Sequence, residues 1–99
     1  MDIPKSYHCH NKIIPGINPR AAIYVSKLAN DNVMYHDNLS DRDTCTISFT
    51  DPHNPNKRIY ICSVYMPFEN KVSTGKFVET LKFTEKSKQG LIICSDTNA

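Results

Sequence analysis

Arg58-Ile59-Tyr60-Ile61-Cys62-Ser63-Val64-Tyr65-Met66-Pro67, followed after one intervening segment by Leu91-Ile92-Ile93-Cys94-Ser95-Asp96-Thr97-Asn98, decides the fold. The first run, Arg58 to Tyr65, is apolar on nearly every position, which marks a central strand covered on both faces. Met66-Pro67 ends it, because proline brings no N–H to a ladder. Leu91 to Cys94 reads as a second, fully buried strand. Between them, Ser73 or Thr74 can cap a helix running to about Lys88. Phe77, Val78 and Leu81 fall on one helical stripe, and Phe83 lies off it. Gly90 stands where a helix C-cap favours a residue without Cβ. Strand, helix, strand in this order predicts two parallel neighbours.

Working upstream, Asp51 to Lys57 is a turn by chemistry, with two prolines that fix φ and Asp and Asn that bond their own backbone. It joins the Arg58 strand to Thr44 to Thr50, whose period-two alternation and β-branched content predict a half-buried antiparallel partner. Ala29 to Asp43 is rich in Asn and Asp and reads as a loop with one short strand at Val33 to Tyr35. Ala21 to Val25, after Pro19-Arg20, reads as a short buried strand. The fold class is therefore α/β with an α+β-like mixed sheet, helices lying on its faces. Residues 1–18 are taken as a flanking segment and 19–99 as an incomplete domain. A parallel strand needs cover on both faces, and one helix cannot supply it.

Composition sets the outer bounds. Ninety-nine residues hold one small domain. Hydrophobic residues at 39% and charged residues at 22%, with three Gly and six Pro, exclude a disordered or collagen-like chain. No apolar run approaches the roughly 20 residues of a membrane helix. Residues 1–17 lack the apolar core behind a basic start that a secretory signal needs. Cys9, Cys45, Cys62 and Cys94 have no short regular spacing, and three of them sit in apolar or strand-like runs. They predict a reduced intracellular protein, nuclear or cytoplasmic, with buried thiols. The net charge of +2 is unevenly spread. Residues 31–51 carry five Asp against Arg42, a balance of −4, and residues 71–90 carry five Lys against Glu79 and Glu85, a balance of +3. Such lysines are ordinarily a solvated face; their functional meaning is a contact with phosphate backbone.

The C-terminal ends of parallel strands share one sheet edge, where open α/β sheets bind ligands. Tyr65 ends one strand, and Asp96 and Asn98 follow the other, so a phenol, a carboxylate and a carboxamide converge. A carboxylate there can accept a proton from water or bind a metal. An amide can orient a nucleophile or donate to a phosphate oxygen, and a phenol can bond a developing negative charge.

This combination resembles the endonuclease/exonuclease/phosphatase superfamily, in which a strand ending in Tyr-x-Pro and an amphipathic helix precede a strand ending in (Gly/Ser)-Asp-x-Asn. The matching residues are Ser63 to Pro67 and Ile92 to Ala99. The chain is similar above all to the endonuclease domains of non-LTR retrotransposons. Those often carry Pro-Arg-Ala-x-Ile-Tyr-Val, here Pro19 to Val25, and Ser-x-Arg-Asp, here Ser40 to Asp43, and the Ser-Asp-x-Asn-Ala variant is familiar from them. The resemblance runs from about Pro19 to Ala99.

The resemblance implies part of a four-layer α/β sandwich and Mg²⁺-dependent cleavage of phosphodiesters in DNA. On it, Asp96 activates or positions the attacking water, Asn98 holds the phosphate and nucleophile, and Tyr65 stabilises the transition state. Hard carboxylate and amide oxygens suit Mg²⁺ better than zinc. The family's upstream Asn and metal-binding Glu have no counterpart, since residues 1–18 contain no Glu. Its downstream Asp-His pair is also absent. Phe68 stands where an Asn follows Tyr-x-Pro in the apurinic-site nucleases, with Asn70 two residues on. The resemblance thus implies an internal fragment with an incomplete ligand set, inactive by itself. Two alternatives stand beside it. One is a non-catalytic α/β remnant binding nucleic acid or a protein partner through Lys71, Lys76, Lys82, Lys86 and Lys88. The other is a phosphatase or exonuclease of the same superfamily. His8-Cys9-His10 lacks the further ligands of a zinc site, and Asp41-Arg42-Asp43 reads as a local ion-pair turn.

Overall fold

The computed structural model describes residues 6–65 and 75–96. A two-stranded antiparallel ribbon joins β1 (Tyr7–His10) to β2 (Ile23–Ser26). A four-stranded sheet has the order β3 (Val33–Tyr35), β4 (Thr44–Asp51), β5 (Asn54–Tyr65), β6 (Gly90–Asp96). The first three of its strands are antiparallel neighbours, and β5 and β6 run parallel with α1 (Gly75–Ser87) between them in the chain. The mixed sheet and its βαβ crossover are as the strand–helix–strand order predicts. Residues 7–10, from the segment read as flanking, supply a strand to the ribbon. The capping position at Ser73 or Thr74 lies outside the described residues. No described helix is long and apolar enough to cross a membrane.

Burial corrects four expectations. β2, expected as a buried strand over 21–25, runs Ile23–Ser26 with none of its residues buried and Tyr24 49% exposed. β4 is not half-buried: Thr44 to Ser48 are each at most 2% exposed. Its hydroxyl face, which alternation assigns to solvent, lies under α1 and the 3-10 turn Asp37–Leu39. Thr46 Oγ1 donates to Leu39 O at 2.8 Å and lies 3.3 Å from Thr80 Oγ1, itself bonded to Lys76 O. Thr46 can be buried here because a backbone carbonyl accepts its proton, and Ser48 because His36 and Arg58 bond its hydroxyl. Thr44 Oγ1, by contrast, is buried with no partner among the described residues. β5, expected to be covered on both faces, is buried toward the helix through Tyr60, Cys62 and Val64, and half-buried on the other face. β6, expected to be fully buried, is an edge strand among the described residues, with Ile92 51% and Ile93 43% exposed. A continuous apolar run records hydrophobicity and says nothing of a strand's place in the sheet.

The helix is rotated from the expected stripe. Its buried residues are Thr80 and Thr84, while Phe77, Val78 and Leu81 flank them. Phe83, placed off the stripe, meets the Tyr60 ring edge-on at 5.5 Å. The helix ends at Lys88, with φ of 57°, and not at Gly90, which is the first residue of β6. Lys88 N–H donates to Glu85 O and Gln89 N–H to Thr84 O, the paired bonds of a Schellman end. The β4–β5 hairpin is also tighter than the residues 51–57 expected. Asp51 faces Asn54, His53 N–H donates to Asp51 Oδ1, and residues 55–57 have no partner in register.

All four cysteines are free thiols, with Cys45 and Cys62 buried and Cys9 half-buried, but Cys94 is exposed, against expectation. Burial pushes the Cys45 thiol up to about 12, so it behaves as an apolar core group.

Candidate functional site

The parallel register sets Tyr65 directly opposite Asp96 at the C-terminal ends of β5 and β6. Two of the three expected site residues therefore stand side by side in the backbone. Asn98 lies outside the described residues.

Tyr65 is held from a third direction. Its backbone N–H donates to Asp43 O at 2.8 Å. Asp43 reaches that point through a tight turn, in which Asp41 Oδ1 accepts the Asp43 N–H at 2.9 Å and Asp41 pairs with Thr44. The Asp43 carboxylate in turn accepts from Arg20 Nε at 2.6 Å and Nη2 at 2.8 Å, a two-pronged charge-assisted pair. Hydrogen bonding to Asp43 raises the Arg20 guanidinium above its ordinary range, so it is a fixed cation. Its carbon lies 4.7 Å from the Tyr65 ring centroid, within the range of a cation–π contact. The Arg20 and Ala21 N–H groups both donate to Arg42 O, and Arg42 Nε donates to Asn18 O. The Asp41-Arg42-Asp43 turn is therefore not a local ion pair, because Asp43 takes its cation from Arg20.

The Pro19–Val25 and Ser40–Asp43 stretches are thus one unit, joined across 23 positions by an ion pair that rests on Tyr65. Arg20 and Asp43 were not among the site residues named from sequence. Their complementary charges lie far apart in the chain, so no local periodicity links them. What the arrangement can do follows from its groups: an oriented guanidinium and an aromatic face sit beside a strand end where a carboxylate residue follows.

Elsewhere the chemistry-bearing residues are structural. The His8 and His10 rings share one side of β1 at 4.8 Å, but His10 Nε2 is bonded to Asn30 Oδ1 at 2.8 Å. Among the described residues no group of three or more His, Cys, Asp or Glu is placed to hold a metal. At the opposite end of β4, Ser48 Oγ lies 2.6 Å from His36 Nε2 and accepts from Arg58 Nε at 2.8 Å.

The described residues form a mixed α/β sheet with a βαβ crossover, and the parallel pair ends in Tyr65 and Asp96 on one edge. The chain matches the endonuclease domain of TRAS1, a telomere-specific non-LTR retrotransposon, with a TM-score of 0.65 at 19% identity. The match covers 96% of this chain and 42% of that one, so the chain spans less than half of that structure's length. At this identity the likeness establishes the fold. No family model and no curated protein matches the chain.

Proposed function

We propose that this chain carries part of a Mg²⁺-dependent phosphodiesterase site of the retrotransposon-endonuclease type, with DNA as substrate. The observation that carries the reading is the register of Tyr65 against Asp96 at the strand ends of an endonuclease fold. Asp96 is the group to position or deprotonate the attacking water, and Asn98 the group to hold the phosphate. Tyr65 donates its phenol proton to the oxygen that gains charge. Mg²⁺ is commonly held by one or two carboxylates together with substrate phosphates. Asp96 and the Asn98 amide offer hard oxygens of that kind, though not a complete set. When bound, the ion supplies Lewis-acid charge at the phosphate oxygen.

On this reading the 99-residue chain does not nick DNA alone, because the metal-binding Glu and the Asp-His pair that the resemblance implies have no counterpart in its sequence. Plasmid nicking with Mg²⁺ tests both halves of the claim. The chain alone leaves supercoiled plasmid intact. A chimaera in which residues 19–99 replace their counterparts in the TRAS1 endonuclease domain nicks it, and Asp96→Ala in that chimaera abolishes nicking. A folded chimaera whose cutting survives Asp96→Ala would falsify the assignment.

A second reading has its own observation. Lys82 and Lys86 are exposed along α1 and Lys88 just after its end, and Lys76 is the helix lysine with a described ion pair, to Glu79. A non-catalytic module that grips phosphate backbone through this face shows salt-dependent DNA binding that Lys82→Gln and Lys86→Gln weaken.

A further inference from the structure

The Arg20 guanidinium has five N–H groups. Asp43 engages Nε and one hydrogen of Nη2. The opposite edge, made by Nη1 and the second Nη2 hydrogen, meets no acceptor among the described residues. The Arg20 side chain is 33% exposed and that of Asp43 15%, so the pair presents its arginine side outward. Two contacts fix the plane of the group: the two-pronged bond to Asp43 and the Tyr65 ring 4.7 Å beneath. An arginine so held has already lost the rotamer freedom that binding ordinarily removes, and its free edge has the geometry to donate to two phosphate oxygens at once.

We infer that Arg20 is a phosphodiester-binding residue of this chain, its free Nη edge taking one phosphate of a DNA backbone in bidentate fashion. Asp43 and Tyr65 act through it as positioning groups. Asp43 offsets much of the long-range charge of Arg20, so the contact works by direction and not by net charge. That separates it from the α1 lysines, which offer charge without a fixed fork. The inference rests on the reading that the Tyr65–Asp96 edge faces DNA, and it adds which residue grips the backbone there.

The test uses the full ¹⁵N-labelled chain, titrated with dimethyl phosphate and with a short fluorescent DNA duplex at low salt. Dimethyl phosphate shifts the Arg20 side-chain resonances, and Arg20→Lys weakens duplex binding by about tenfold, the loss of one charged bidentate contact. The lysine keeps the charge, so a purely electrostatic role predicts unchanged affinity. If Arg20→Lys binds duplex like the unsubstituted chain and dimethyl phosphate leaves Arg20 unmoved, the inference is wrong while the strand-end reading survives. If the unsubstituted chain binds neither probe, the inference falls with the DNA reading, and the chimaera's nicking then decides whether the strand-end chemistry stands. Should Arg20→Lys unfold, the dimethyl phosphate titration of the unsubstituted chain decides alone: shifted Arg20 resonances support the contact, and unmoved ones overturn it.

Discussion

Lys88 closes α1 from a left-handed backbone, φ 57°, where a side chain crowds its own carbonyl. Its conformation is what allows the Glu85 and Thr84 carbonyls to find donors before the chain turns into β6. Glycine adopts this conformation without the Cβ penalty but loses more freedom on folding. Setting the two against each other, Lys88→Gly raises stability by roughly 0.5–1 kcal/mol. Urea unfolding of the two chains measures it, and an unchanged or lowered midpoint would mean that the Lys88 side chain holds a contact of its own. The position was illegible in sequence for a simple reason. Gly90 has the residue type that helix ends prefer, yet it opens β6 opposite Ile59, where a Cβ would meet that side chain at an ordinary 3.7 Å, so nothing at its place requires glycine. Residue identity pointed to the right turn and missed its centre by two residues.

The same gap between residue type and surroundings governs β4. Alternating Thr and Ser look like a wet face, and the 3-10 turn and α1 cover it, Leu39 O accepting from Thr46 Oγ1 and Thr80 Oγ1 lying beside that hydroxyl. On that covered face His36, half-buried, lies against Ser48 and 5.0 Å from the Tyr60 ring. Ser48 Oγ also accepts from Arg58 Nε at 2.8 Å, so a guanidinium charge stands one hydroxyl away from the imidazole. Burial, and after it the Arg58 charge, holds the imidazole below its ordinary 6.5. In the unfolded chain the ring takes its proton near 6.5, before the folded ring does. Stability from this group is therefore complete above that pH and declines as pH falls from 6.5 toward the lower folded value. Urea midpoints at pH 7.5 and 5.0 for the native chain and for His36→Gln isolate the effect, since the other histidines and carboxylates cancel in the difference. The native chain loses more stability between these two pH values than the variant. Equal losses would place the proton elsewhere. The strands and the helix themselves were legible because their periods and turn residues are local; which face each buries depends on neighbours far along the chain.

At the scale of the molecule, the crossover was the most legible feature and the edges the least. Strand, helix, strand dictates a parallel pair, and the pair alone brings Tyr65 and Asp96 together. The Arg20–Asp43 clamp over Tyr65 needed the ribbon and the sheet to meet in space. The sheet as described ends at β6, whose residues 91–95 carry no charge and whose outer N–H and C=O groups are unpaired among the described residues. Ile92 and Ile93, in register with Ile61 and Cys62, occupy opposite faces of this strand and remain half exposed. An uncharged apolar edge is a template for pairing with another chain. The isolated chain accordingly self-associates as its concentration rises. Ile92→Lys places a charge on that edge, at a cost of about 1 kcal/mol for the half of the side chain that is buried. Sedimentation velocity across a concentration series separates the outcomes: the native chain moves to faster species while Ile92→Lys stays monomeric. If both chains sediment alike at every concentration, contact runs through another surface, and Ile13 and Leu28, 84% and 96% exposed, are the next positions to charge.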